Sequence, residues 1–219
     1  MKTFLSIGAG PGMGLATAER FAREGFRIVL SARNAGKTKE LAEALRAGGH
    51  TVETRTVDAA DPASVAALVA EVEGAFGGID VLHYNAAAMR QANLADQPRD
   101  TFNTDLAVNV GGALAAVQAA AGEMAGRGAG TILLTGGGFA LQPHPDYLSL
   151  SIGKAGIRAL AQGLFESFRE QGIHVATVTV AGFVSPGSRD AGAVAERFWA
   201  LHSEPKDGWS LETVYTPEA

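Results

Sequence analysis

Short apolar runs and amphipathic stretches alternate along this chain. Phe4-Leu5-Ser6-Ile7 is apolar, leads straight into glycines and reads as a strand. Across residues 13–24, Leu15, Ala18, Phe21 and Ala22 recur at helical spacing. Residues 27–31 predict a strand, and residues 37–47 a helix with Leu41, Ala44 and Leu45 on one face. Residues 51–57 are rich in β-branched side chains and predict a strand. Asp61-Pro62 then opens a helix, with aspartate as its cap and proline in its first turn; Val65, Leu68, Val69 and Val72 continue it. The remaining pattern predicts strands at residues 80–84, 131–135, 173–180 and 210–215, and helices at about 100–126, 148–171 and 191–202.

This order implies right-handed βαβ crossovers, so the sheet should be parallel and covered on both faces. The expected class is α/β: a Rossmann-type, doubly wound, seven-stranded, mostly parallel sheet with helices on both faces. A single domain should span residues 1–219, with no linker, charge block or internal repeat. In such folds ligands sit outside the carboxyl ends of the strands. The loops after Ile7, Leu30, Val57, Tyr84, Thr135 and Val180 are therefore where function should lie.

Composition narrows this further. With 47% hydrophobic and 19% charged residues, disorder is excluded. The 28 glycines lack the three-residue period of collagen. A net charge of −5 argues against nucleic acid or an anionic membrane as the main partner. There is no cysteine, hence no disulfide, thiolate nucleophile or thiolate metal site. The histidines show no metal-ligand spacing, so no metal is expected. The N-terminal apolar run breaks at Ser6 and does not read as a signal peptide. The weakly polar run at 106–121 contains Asn109, Gly111, Gly112 and Gln118 and is too short and polar to span a bilayer. A soluble, cytoplasmic protein is expected.

Gly8-Ala9-Gly10-Pro11-Gly12-Met13-Gly14 joins the first strand to the first helix. Glycines there let the backbone approach a pyrophosphate, which the helix N-terminus then binds. The flavin-type spacing starting at Gly8 would need glycine at Met13. At the end of the second strand, Ser31-Ala32-Arg33 puts arginine where an acceptor for ribose hydroxyls would stand. Arginine cannot accept, but it suits a 2′-phosphate, which favours NADP(H) over NAD(H).

With these residues in this order, the chain resembles the short-chain dehydrogenase/reductase family over nearly its whole length. The family's T-G-x-x-x-G-x-G appears as Ile7 to Gly14, with Ile7 for threonine. Its adenine-contacting acid matches Asp58, and its N-N-A-G matches Tyr84-Asn85-Ala86-Ala87. Its active-site asparagine matches Asn109, and its P-G matches Ala181-Gly182, followed by Phe183-Val184. Of its Y-x-x-x-K, Lys154 matches the lysine, but Leu150 stands at the tyrosine position. The serine position, 13 residues earlier, falls at Gly137. The resemblance implies cofactor binding by Gly8, Gly10, Gly12, Met13, Gly14, Arg33, Asp58, Asn85, Lys154, Gly182 and Val184. It implies catalytic roles for Asn109 and Lys154, with the lysine also binding ribose hydroxyls.

In the family the tyrosine is the proton donor and the serine polarises the carbonyl; leucine and glycine can do neither. Tyr147 is the first candidate for a replacement acid, because positions 147, 150 and 154 share a helix face if the helix extends that far. His144 is the second. For both, loop packing or substrate-cleft lining is the plainer reading. Met89, Phe139, Leu141 and Phe183 are candidate apolar lining or core. The helices at 100–126 and 148–171 match those that pair subunits in the family, which implies a homodimer or homotetramer. The expected function is a divergent NADP(H)-binding oxidoreductase acting on a small carbonyl or alcohol. The alternative is a catalytically silent NADP(H)-binding sensor or partner subunit.

Overall fold

The computed structural model describes residues 1–217; the last two residues of the expected 1–219 domain lie outside it. Among the described residues, seven strands form one sheet: β1 (Thr3–Ile7), β2 (Arg27–Ala32), β3 (Val52–Thr56), β4 (Val81–Tyr84), β5 (Gly130–Gly137), β6 (Ile173–Val180) and β7 (Glu212–Tyr215). Their order is β3-β2-β1-β4-β5-β6-β7, and every pairing is parallel. The chain winds outward first on one side of β1 and then on the other. The crevice between β1 and β4 is the topological switch point, where such folds bind ligands.

The helices are α1 (Met13–Arg23), α2 (Ala35–Ala47), α3 (Pro62–Phe76), α4 (Phe102–Leu106), α5 (Gly112–Arg127), α6 (Leu148–Glu170) and α7 (Arg189–Ser203). One apolar cluster packs α3, α5 and α6 on one face of the sheet; another packs α1, α2 and α7 on the other. In the second, Phe21 of α1 stacks on Phe4 of β1 at 4.5 Å and meets Trp199 of α7 edge-on at 5.2 Å. No helix among the described residues is long and apolar enough to cross a membrane.

Local chemistry sets the boundaries. Asp61 caps α3 by accepting the Ala63 N–H at 3.0 Å, with Pro62 in the first turn. Asn34 caps α2 by accepting the Lys37 N–H at 3.0 Å, so this helix starts ahead of its apolar periodicity. β5 continues through the glycines that the residue pattern leaves outside the strand: Gly136 pairs with Thr179 and Gly137 with Val180. A Cβ on Gly136 would fall 2.7 Å from Thr177 Oγ1 and 2.8 Å from Thr179 Oγ1, which only glycine avoids.

The long helix predicted at 100–126 is interrupted. Between α4 and α5, Ala107–Gly111 forms a π-turn, and the Gly112 N–H bonds to the Ala107 carbonyl five residues back. The cause is tertiary. Tyr84 donates its hydroxyl to the Val108 carbonyl at 2.5 Å and draws it out of the helical ladder. Gly112 permits the approach, since a Cβ there would collide with the Tyr84 hydroxyl oxygen.

Candidate active site

A cavity of about 1340 Å³ opens along the carboxyl ends of the central strands. The glycine loop forms its floor at one end. Gly8 has φ +88°, and a Cβ on it would collide with the Ala86 backbone, so this loop lies directly against the turn after β4. Asn85 locks the two together by donating its amide to the Gly8 carbonyl at 2.9 Å. Gly14 is equally confined, since a Cβ there would sit 3.1 Å from the Asn85 amide nitrogen. α1 begins with Gly12 at its cap, no capping side chain and no acidic residue in its first turn. The Leu15 N–H goes to the Gly10 carbonyl at 2.9 Å, and the Met13 and Gly14 N–H groups and positive dipole end are left for an anion.

Gly8, Met13, Arg33, Asn85, Lys154 and Gly182 all line the cavity. Arg33, exposed at the start of the β2–α2 loop, has no ion-pair partner among the described residues. Asp58 stands between the lining residues Val57 and Ala59; its carboxylate accepts the Ala60 N–H at 3.0 Å. Gly10, Gly12, Gly14 and Val184 flank the lining residues Ala9, Met13 and Phe183 in the chain without lining the cavity themselves. Gly12 faces the Val184 carbonyl, with 3.9 Å to a Cβ position, and Val184 packs against the apolar cluster of α1 and α7.

Thr135 of β5 is the hub of the deep end. Its hydroxyl donates to Asn85 Oδ1 at 3.0 Å and lies 3.2 Å from His83 Nε2. Burial pushes His83 down to about 3, so its ring is neutral. Since the Thr135 proton goes to Asn85, His83 must carry its own proton on Nε2 and accept with Nδ1, which faces Ser6 Oγ at 3.4 Å. The Thr135 carbonyl accepts the Lys154 ammonium at 2.7 Å. One threonine thus ties the glycine-loop lock to the lysine. Burial pushes the Lys154 ammonium down to about 8, which leaves it largely cationic at neutral pH.

Leu150 stands one helical turn before Lys154 and lines the cavity. A Cβ on Gly137 would fall 3.1–3.3 Å from three carbons of the Lys154 stem, so the lysine lies flat against β5. Tyr147 is the cap residue of α6, not part of its first turn, with extended φ of −134°. Its ring stacks on Phe139 at 5.3 Å and is not part of the cavity wall. His144 does line the wall. Its Nδ1 accepts the Asp146 N–H at 3.1 Å, so in the neutral ring the proton sits on Nε2.

Asn109 sits in the π-turn, buried and off the cavity wall. Both polar atoms go to the Ala88 backbone, Oδ1 to its N–H at 2.7 Å and Nδ2 to its carbonyl at 3.3 Å. It thereby fixes the segment after β4 that carries Met89. The same segment is held by Arg90, paired with buried Asp105 at 2.7 Å; Asp105 also accepts Ser149 Oγ at 2.9 Å from the start of α6. Burial pushes the Asp105 carboxyl up, but its bonds from Arg90 and Ser149 outweigh this and hold it below the usual range. Neither this clamp nor the His83–Thr135 link is predicted by the sequence motifs. The only signal was polar residues interrupting apolar strand runs at Ser6, His83 and Thr135. Among the described residues no three His, Asp or Glu side chains gather as a metal would need.

Comparison with known proteins agrees with this geometry. Residues 2–193 match the short chain dehydrogenase family. An uncharacterized oxidoreductase of Thermotoga maritima is 32% identical over 178 residues, covering 81% of this chain and 70% of that protein. Among solved structures, a metagenomic short-chain oxidoreductase in complex with NADP superposes with a TM-score of 0.92 at 22% identity, covering 100% of this chain and 98% of the other. A short-chain dehydrogenase from Rhodopseudomonas palustris gives 0.90 at 25% identity, covering 99% of both chains. This chain belongs to the short chain dehydrogenase family.

Proposed function

We propose that the protein is an NADP(H)-dependent oxidoreductase of a carbonyl or alcohol, in which Leu150 and Gly137 occupy the family's tyrosine and serine positions. The observation that carries this reading is one continuous cavity running from the uncapped α1 terminus past Arg33 to Lys154. The residues fit the dinucleotide. Gly8, Gly10, Gly12, Met13 and Gly14 offer backbone close to a pyrophosphate without side-chain obstruction, Arg33 suits a 2′-phosphate, and the free oxygen of Asp58 suits the adenine amino group. Lys154 suits the nicotinamide ribose hydroxyls. Asn85 and Gly182 form part of the wall around it, and Val184 flanks that wall next to Phe183. When bound, the nucleotide supplies or accepts a hydride.

The protein's own part is to bind, orient and exclude water. Thr135 holds Lys154 in place, and Asn109 acts as a positioning residue through Ala88 rather than by touching substrate. The proton needed at the substrate oxygen has no tyrosine to come from. Tyr147 is not among the lining residues and packs against Phe139 and Phe183, so the Nε2–H of His144 or water is the proposed donor. The helical faces of α4–α5 and α6 are the proposed surfaces of a homodimer or homotetramer in the cytoplasm. On α5 and α6, Gly122, Gly126 and Gly163 have no neighbouring atoms within 4 Å of a Cβ position, so a second subunit could approach closely.

Arg33→Ala tests the cofactor assignment. Loss of a charge-assisted pair with a phosphate costs about 1.5–3 kcal/mol. NADPH affinity should fall about ten- to a hundredfold, with NADH affinity unchanged. An equal fall for both nucleotides would remove Arg33 from 2′-phosphate recognition.

A further inference from the structure

The far end of the cavity, beyond Lys154, has a chemistry of its own. Met89, Phe139, Leu141, Leu150 and Phe183 line it, beside the polar side chains of Gln142 and His144. Among the described residues, the charged side chains lining the whole cavity are Arg33 and Lys154, and both are assigned to the nucleotide above. The far end therefore presents no carboxylate and no free cation. It is also uncovered: Phe183 is 63% exposed, Met89 62% and Leu141 44%. Phe183 stands edge-on to Phe139 at 6.2 Å, and Tyr147 packs beside both rings, 5.3 Å from Phe139 and 6.0 Å from Phe183. Three rings thus cluster at this end of the cavity, two of them on its wall.

A sugar, polyol or organic acid would find Gln142 and His144 to bond there and would have to bury its remaining hydroxyls or charge against carbon, at about 1–3 kcal/mol for each group left unpaired. A ring-bearing apolar compound would lose nothing there and would cover surface that water now wets. The two replaced positions act in the same direction. Leu150 and Gly137 make carbon of the wall where hydroxyls would otherwise hold a small polar substrate. Resting on the nucleotide site proposed above, we infer that the substrate is an uncharged, apolar, ring-bearing carbonyl or alcohol whose ring is covered by Phe183, Phe139 and Leu150.

The test is calorimetric binding of 2-naphthol and of xylitol at pH 7 to protein saturated with NADP⁺. 2-Naphthol should bind at least tenfold tighter than xylitol. Phe183→Ala should weaken 2-naphthol about five- to twentyfold, as loss of one ring contact implies, and leave NADP⁺ affinity unchanged. Phe183 is on the surface, so the variant keeps its fold. NADP⁺ binding without 2-naphthol binding, xylitol binding as tightly as 2-naphthol, or an unaltered 2-naphthol affinity in Phe183→Ala would each overturn the inference and leave the nucleotide reading standing. Failure of NADP⁺ itself to bind would overturn the nucleotide reading, and with it the substrate inference built on it.

Discussion

Replacing Leu150 with tyrosine and Gly137 with serine in one variant should raise carbonyl reduction by NADPH about 10²–10⁴-fold, the usual worth of a positioned general acid. The rest of the site is in place to use them. Leu150 already lines the cavity, so a larger ring at that position extends into open space. Lys154 lies one turn on, and its positive charge would favour the phenolate and lower the pKa of an introduced tyrosine. The Gly137→Ser change needs a small adjustment, because a Cβ on Gly137 would meet the Lys154 stem at 3.1–3.3 Å. That stem is flexible and can give by a few tenths of an ångström. The double variant should bind NADPH as the parent does and turn over aromatic aldehydes in a stopped assay of NADPH absorbance. No gain over a broad panel of aldehydes and ketones, with NADPH still bound, would contradict the placement of these two positions.

Acidification should destabilise the fold steeply well before most carboxylates protonate. Burial pushes His83 down to about 3 and His202 to about 4 from an ordinary value of 6.5. His174 is lowered in the same way, mainly by burial, where it stacks on Trp209 at 4.8 Å. A base with a depressed folded pKa takes up its proton on unfolding. Its contribution is intact above 6.5 and is lost as the pH falls from 6.5 toward the folded value. Each pH unit costs about 1.4 kcal/mol per histidine, so His83 and His202 together remove about 6 kcal/mol by pH 4. That is comparable to the whole stability of an ordinary domain, about 5–15 kcal/mol. Asp105 and Glu212, both held below the usual carboxylate range, add their loss only at still lower pH. Urea unfolding at a series of pH values should give a stability that falls by about two protons' worth per pH unit between 6 and 4.5. A flat profile over that range would mean that His83 and His202 are charged within the fold.

Much of the fold was legible because its signals are local. Alternating apolar runs and helical spacing mark every strand, and a glycine-rich turn directly after the first strand marks the binding end of the sheet. What stayed hidden depends on partners far along the chain. Nothing near residue 108 says that its carbonyl will be taken by Tyr84, so the break in the long helix was not predicted. Gly136 and Gly137 look like the start of a loop until Thr177 and Thr179 are known to lie beside them. Tyr147 packs on Phe139, eight residues earlier and across a turn, and on Phe183, and helical spacing misleads because the helix begins one residue later. Lys154 and Leu150 were picked out only through the resemblance to the family's Y-x-x-x-K. The threonine that links the lysine to Asn85 and His83 was visible only as a polar residue in an apolar strand.

The most direct test of the account is a calorimetric titration of the purified protein with NADPH and with NADH. Arg33 facing the cavity, the uncapped start of α1 and the glycine loop locked by Asn85 predict tight NADPH binding and much weaker NADH binding. Equal affinity for the two would remove Arg33 from the site, and no binding of either would contradict the assignment of the cavity to a nicotinamide dinucleotide.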